Sequence, residues 1–362
     1  MSSRLTMNRF PPQLTPIHEW ILQETPLGRM CGSQERFRDR YEIIKILGRG
    51  GFGITFLAKN AVLPGKPLCV IKQLCPQVTS IKSWERACQR FEKEARALGQ
   101  LGNHPQIPML LDYFEVKGEF YLVQEYVRGY TLGREVRKSG VKNEAAVKQF
   151  LQELLPVLKY LHQHGVIHRD IKPHNLLRCE EDQRVVLIDF GAVKEELLDA
   201  GENAINRNQM TNFVGTMGYA PPEQFSLSPV YASDIYAVGV TCLYLLTGKS
   251  PLEFEYDQNT GEIYWQKEVN VSDSFAQILG KMVKFSLKER YKSAGDVLRA
   301  LDLENYVPTL TNCLTIQPPR SQTNNTKKEI PQIYMSPVQR TAIAIREWKA
   351  KHQRKSVDQK LL

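Results

Sequence analysis

Asp170, Lys172 and Asn175 fall within the single run His168-Arg-Asp-Ile-Lys-Pro-His-Asn175, and Asp189-Phe190-Gly191 begins fourteen residues after Asn175. A carboxylate, an ammonium and an amide share one short loop, with a second carboxylate a hairpin's length away. These are the groups that moving a phosphoryl group from ATP to a hydroxyl requires. Asp170 would act as base or orienter for the hydroxyl and Lys172 as the cation near the γ-phosphate, with Asn175 and Asp189 as oxygen ligands for Mg²⁺. A single Asp or Asn in a turn is ordinarily a satisfied loop polar. The information lies in the whole set and its order.

Two further motifs lie upstream. Gly48-Arg49-Gly50-Gly51-Phe52-Gly53 stands between two strand-like runs. Glycines there let backbone N–H groups approach phosphates without side-chain interference. A dinucleotide fold also uses GxGxxG, but there the motif opens a helix, whereas here a strand follows. Lys72 ends Cys69-Val70-Ile71-Lys72, and Glu94 sits on the following helical segment one turn before Leu98. A lysine at a strand end is usually solvated; a buried carboxylate partner would change that. Glu92 is the rival partner, and the Glu94-Ala-Arg-Ala-Leu98 register favours Glu94.

Together these motifs resemble the protein kinase family over about Tyr41 to Leu303. More narrowly they resemble the eukaryotic-like serine/threonine kinases of bacteria, cyanobacterial members in particular. The narrower likeness rests on Gly50-Gly-Phe-Gly-Ile-Thr-Phe56, Cys69-Val-Ile-Lys-Gln73, Tyr219-Ala-Pro-Pro-Glu-Gln224 and Asn259-Thr-Gly261. The resemblance implies an α+β, bilobal fold: a small antiparallel sheet with one helix over 39–127 and a larger, mainly helical lobe over 128–305. It implies ATP with Mg²⁺ (or Mn²⁺), and transfer to Ser or Thr of protein substrates, the chain itself included.

The same resemblance assigns further residues. Lys72 and Glu94 would pair at the α/β-phosphates, with the glycine loop above them, and Glu125 and Val127 would offer hinge backbone to adenine beside a polar gatekeeper, Gln124. Arg169 would meet a phosphate on an activation segment running from Asp189 to Glu223, where Thr211 and Thr216 are the candidate acceptors. Thr216 is also expected to bond Asp170 and Lys172. Glu223 would pair with Arg290, and Asp234 would bond the catalytic-loop backbone. Lysine two residues after Asp170 is the pattern of Ser/Thr-specific members. Thr55 for the usual Val, Val70 for Ala and Pro221 for Ala are departures.

These residues need elements to hold them. Tyr41–Leu47, Ile54–Ala58 and Leu68–Lys72 read as three antiparallel strands, followed by a helix from about Trp84 to Leu101 with apolar Ala87, Phe91, Ala95 and Leu98. Two more strands are expected near 109–115 and 120–126. Helices are expected over 145–164, 235–247, 275–285 and 294–301, with a hairpin insertion between Phe254 and Trp265. Residues 1–38 show no sustained period and read as an N-terminal extension in which Ile17, Trp20 and Ile21 form one apolar turn. Residues 306–335, rich in Pro, Asn, Thr and Gln, read as a linker. Ser336-Pro337 then opens a candidate helix that sets Ile343, Ile345 and Trp348 against Arg346, Lys349 and Lys351.

Composition bounds the rest. The net charge of +9 is concentrated in residues 320–362, which hold ten Lys/Arg against three Asp/Glu; the preceding 319 residues carry only +2. Nucleic acid is therefore not the expected partner, and the 336–362 tail reads as a solvated helix or one that docks a partner or regulates the chain itself. The most apolar run, Ile235–Leu246, is too short for a membrane span, which needs about 20 residues. Seven scattered cysteines without a CxxC point to a reducing, cytoplasmic setting. Two other functions compete. A small-molecule kinase would lack the Gly215-Thr216…Pro-Pro-Glu223 platform, and a pseudokinase scaffold would have lost Lys72, Asp170 or Asp189.

Overall fold

A computed structural model describes residues 25–50, 53–75, 81–192, 194–195 and 215–304. The first part is a sheet of β1 (Arg36–Phe37), β2 (Tyr41–Arg49), β3 (Gly53–Asn60), β4 (Leu68–Leu74), β5 (Leu110–Val116) and β6 (Glu119–Glu125). Every neighbouring pair is antiparallel, in the order β1-β2-β3-β4-β6-β5. Strand alternation gives the sheet two different faces. Cys69 and Ile71 on β4, with Tyr121 and Val123 on β6, turn into one cluster with Tyr41, Ile43 and Phe56. Lys72 is paired with Leu122 across the β4–β6 ladder and so turns to the opposite face. The helix α2 (Ile81–Leu101) packs on that side, burying Ala87, Phe91, Glu94, Ala95, Leu98 and Leu101 at helical spacing.

The first face is closed by chain that shows no period. Residues 25–37, read from the sequence as part of an extension, belong to the sheet lobe. Thr25 caps the short helix α1 (Pro26–Arg29) by accepting from Gly28 N–H at 3.0 Å. Leu27 is fully buried, and the Phe37 ring lies 4.8 Å from that of Tyr121. Two apolar anchors separated by a turn carry no periodic signal, which explains the difference. Ile17, Trp20 and Ile21, the linker and the 336–355 helix lie outside the described residues.

Beyond β6 the chain is mainly helical. It forms β7 (Gly129–Thr131), α3 (Leu132–Ser139), α4 (Glu144–Gln163), β8 (Val166–Ile167), β9 (Leu176–Cys179), β10 (Val185–Leu187) and β11 (Lys194–Glu195). After residue 214 follow α5 (Pro222–Phe225), α6 (Tyr231–Thr247), the hairpin β12 (Glu255–Tyr256) and β13 (Ile263–Tyr264), α7 (Asp273–Met282) and α8 (Ala294–Glu304). Asn143 starts α4 by accepting from Ala146 N–H at 2.9 Å, and Gly248 at φ +73° ends α6. α6 is buried on all sides from Ala232 to Leu246 and forms the centre of this lobe. α7 stops at Met282 rather than near Phe285, because the carbonyls of Lys284 and Phe285 leave the helix to accept from Arg290 at 2.8 and 3.0 Å. α3 had no counterpart in the sequence reading; its eight residues are too few to show a period.

Candidate active site

The loop between β8 and β9 holds the first set of groups, and its backbone is fixed from below. Asp234, fully buried in the first turn of α6, accepts from the N–H groups of His168 at 2.9 Å and Arg169 at 2.8 Å. It also accepts from His162 Nε2 at 3.0 Å. Gln224 Nε2 donates to Arg169 O at 2.6 Å. These bonds hold Arg169 at φ +70°, a conformation that costs a non-glycine residue about 1–3 kcal/mol and persists only when the surroundings impose it. Burial alone would raise the Asp234 carboxyl, but the His162 imidazole, His168 and the Arg169 N–H outweigh it and hold Asp234 below the ordinary aspartate value.

On this base Asp170 is held by three side chains. Its Oδ1 accepts from the Thr216 hydroxyl at 2.6 Å, and its Oδ2 accepts from Lys172 Nζ at 2.8 Å and Asn175 Nδ2 at 2.9 Å. Lys172 Nζ also donates to Thr216 Oγ1 at 2.7 Å. A second bond from Asn175 Nδ2, to Asp170 O at 2.8 Å, commits the amide nitrogen and leaves its oxygen for another partner. Ile188 N–H donates to Asn175 O at 2.9 Å, which ties Asp189 to the same loop.

Lys72 is the second centre. Its ammonium contacts Glu94 Oε1 and lies 3.0 Å from Asp189 Oδ1. Burial works against this ammonium, yet the Asp189 and Glu94 carboxylates together hold its pKa above the ordinary lysine range. The Lys72 charge in turn is the main cause of a lowered Asp189. Burial favours the neutral form of Glu94 and the Lys72 charge opposes it; with the ammonium in contact, the ionised pair is the state this geometry describes. Glu92, the rival, faces solvent and pairs with Arg96 at 2.8 Å. A Cβ at Gly191 would lie 3.2 Å from Glu94 Oε2, so a side chain there would have to push that carboxylate aside by a few tenths of an ångström.

A cavity of about 570 Å³, a size suited to a small-molecule ligand, reaches Asn175 of the first set and Lys72 and Asp189 of the second. Gly48, Arg49, Gly50, Thr55 and Val70 line its roof; Gln124, Glu125, Tyr126 and Val127 line its back; Lys72, Asn175 and Asp189 line its deep end. Gly50 N–H donates to Gly53 O at 2.8 Å, closing the described part of the glycine loop. Gly53 admits no side chain, since a Cβ would stand 2.3 Å from Gln73 O on β4. Gly51, Phe52 and Thr211 lie outside the described residues.

Below the loop, the Arg290 side chain is fully buried and its Nη1 donates to Glu223 Oε1 at 2.6 Å. Ser233 Oγ adds a bond to the same carboxylate oxygen at 2.8 Å, so α5, α6 and the chain before α8 are tied together. Several residues of the site were not singled out from sequence. Leu177 lines the cavity with Asn175, as period-two alternation entering β9 allows. His162 carried no readable signal, and Gln224 entered only as the end of the Tyr219–Gln224 run with no role attached, because one acts on a distant carboxylate and the other on a backbone carbonyl.

Residues 41–300 match the protein kinase domain family. The chain is 54% identical over 278 residues to serine/threonine-protein kinase B of Synechocystis sp., covering 76% of this chain and 48% of that protein. It is 42% identical over 276 residues to serine/threonine-protein kinase PknA of Nostoc sp., covering 75% and 49%. A calcium/calmodulin-dependent protein kinase type 1 of Macrobrachium nipponense is 28% identical over 274 residues, covering 72% and 74%. The chain spans about half the length of the two cyanobacterial relatives. With the family matched across both lobes and the cleft between them, the chain belongs to the protein kinase domain family.

Proposed function

We propose that this chain transfers the γ-phosphoryl group of ATP to Ser and Thr hydroxyls of proteins, itself included, in cytoplasmic bacterial signalling. The observation that carries the reading is the Asp170 carboxylate. One of its oxygens already takes a proton donor of the acceptor's own chemical type, the Thr216 hydroxyl at 2.6 Å. Asp170 would orient and deprotonate the incoming hydroxyl, while Lys172, within reach of the same hydroxyl, would stabilise charge at the transferred group. Lys72, held between Glu94 and Asp189, would position the α/β-phosphates; Glu125 and Val127 would present backbone to adenine. Asp234 and the Glu223–Arg290 pair would keep the loop and acceptor platform in register.

The donor set suits a hard divalent cation. Asn175 has committed its amide nitrogen and keeps its oxygen, and the Asp189 carboxylate faces the cleft with a side chain 48% exposed. These two would hold Mg²⁺ (or Mn²⁺), which when bound neutralises charge on the phosphate oxygens. Arg169, with Thr211 as the first and Thr216 as the second candidate phosphoacceptor, would order the activation segment. The Thr216 hydroxyl is engaged by Asp170 and Lys172, which supports a positioning role for it. No described helix is long and apolar enough to cross a membrane. The basic 336–362 segment would dock a protein partner, and a deletion of 320–362 that changes neither activity nor partner binding would remove that idea.

The test is incubation of the purified chain with ATP and Mg²⁺ beside Asp189→Asn, with phosphosites mapped by mass spectrometry. Phosphate on Ser or Thr in the wild type alone is expected. Equal incorporation by Asp189→Asn, or transfer confined to free small alcohols, would overturn the reading.

A further inference from the structure

Charge is unevenly placed at the mouth of the cleft. α3 buries Leu132, Gly133 and Val136 and exposes Arg134, Arg137 and Lys138. Spacings of three and four residues put these three cations on one helical face. The Arg134 guanidinium lies 4.7 Å and the Lys138 ammonium 5.8 Å from the ring centre of Tyr130, itself 41% exposed. The one carboxylate of the helix, Glu135, is turned away to Lys142 at 2.6 Å and Arg178 at 3.8 Å. Among the described residues, no acidic side chain forms an ion pair with Arg134, Arg137 or Lys138.

The helix dipole is the ordinary reason for such residues, and it accounts for Arg137 and Lys138 in the last turn. It does not account for Arg134. That residue sits in the first turn, where the backbone N–H groups repel a cation, and four residues before another cation that repels it again. An anion from outside the chain would relieve both penalties.

The stripe is also fixed against the catalytic loop. Gly133 N–H donates to Pro173 O at 3.1 Å, and a Cβ on Gly133 would lie 3.5 Å from His174 Cε1. Arg134 and His174 line the same cavity as Asn175 and Asp189.

We infer that the Arg134–Arg137–Lys138 stripe docks an acidic segment of the protein acceptor that flanks the Ser or Thr to be phosphorylated. The inference rests on the protein-kinase reading and adds the charge class of the substrate. A protein segment fits better than a nucleic acid or a membrane. Outside 320–362 the chain carries only +2, so the excess of basic charge that non-specific nucleic-acid or membrane binding calls for is not a property of the part that holds the stripe. The Tyr130 ring is already faced by Arg134 and Lys138 and offers no free platform for a base.

The experiment uses the full chain and three threonine peptides that differ only in flanking residues: glutamate, glutamine or lysine. kcat/KM is measured at low and high salt, and binding of the labelled peptides is followed in parallel by fluorescence anisotropy. The wild type should favour the glutamate peptide over the glutamine one by about tenfold at low salt, and less as salt screens the contact. Arg137→Gln with Lys138→Gln should bring the two together, and Arg137→Glu with Lys138→Glu should reverse the order. The glutamine peptide should behave alike in all three proteins, which separates a charge effect from damage to the fold.

Equal handling of the glutamate and glutamine peptides by the wild type overturns the inference. So does a preference that neither variant alters, an equal loss on every peptide, or an effect confined to an RNA oligonucleotide or phosphatidylserine vesicles. Charge-dependent anisotropy without transfer to any peptide would uphold the docking surface and strike the kinase reading instead. Transfer without charge dependence would strike the stripe alone.

Discussion

Asp170 and Asp234 are both aspartates at the same loop, and their surroundings give them opposite tasks. Asp170 is part-buried and shares its oxygens among Thr216, Lys172 and Asn175. Asp170→Asn should lower kcat by about 10²–10⁴ while leaving nucleotide binding near wild type, as read by phosphate transfer beside a nucleotide titration. A small loss would remove Asp170 from the chemistry. Asp234 is fully buried and spends its charge on His162 and on the His168 and Arg169 N–H groups. Its carboxyl is lowered in the folded state, so the unfolded chain binds the proton more readily. Its stabilisation is therefore present above the ordinary aspartate pKa of about 3.9 and lost as pH falls toward the lower folded value. Asp234→Ala should destabilise by about 3–5 kcal/mol near neutral pH by orphaning buried donors. Its urea midpoint should also fall less steeply than wild type below about pH 4. Parallel curves for the two proteins would contradict this assignment.

Helix contact is decided by single atoms. Gly239 lies in α6 where α7 ends, and a Cβ there would stand 2.7 Å from Val283 Cγ1 and 3.0 Å from Met282 Cβ. Two effects oppose each other in Gly239→Ala. Helix propensity gains about 1 kcal/mol, while overpacking costs about 1–3 kcal/mol. Met282 Cβ is anchored to its backbone and cannot swing aside, so the clash should win, by up to about 2 kcal/mol, in urea unfolding. A stabilised variant would show that the two helices move apart freely. The same scale explains why residues 25–37 belong to the sheet lobe: Leu27 and Phe37 close a face that β2–β4 and β6 would otherwise leave apolar and exposed.

At the level of the whole molecule, the cavity draws its walls from both lobes: Lys72 and Val70 from the sheet, Asn175, Leu177 and Asp189 from the helical part. A ligand that fills it binds only the folded chain and must stabilise it. Nucleotide with Mg²⁺ at about a hundredfold above its Kd should add about 2.7 kcal/mol. For a domain of this size that corresponds to a rise of about 5–10 °C in Tm. Lys72→Ala should remove most of the rise, since it takes away the cation held between Glu94 and Asp189. Differential scanning fluorimetry checks both, and an unchanged rise in Lys72→Ala would detach that lysine from the nucleotide.

The sequence by itself determined what is local. Strand and helix periods, the glycine loop and the short run from His168 to Asn175 are encoded within a few residues of one another, so their spacing is legible without a structure. The Glu94 side of α2 was legible for the same reason, as one turn from Leu98 on a helical period. Only the tertiary structure decided what depends on residues far apart in the chain. His162 and Gln224 reach the loop from two other elements, and Leu27 and Phe37 seal a face whose strands lie downstream. The cationic stripe of α3 beside His174 is of the same kind: its charges can be counted in the sequence, but their approach to the catalytic loop requires the fold to bring Gly133 against Pro173.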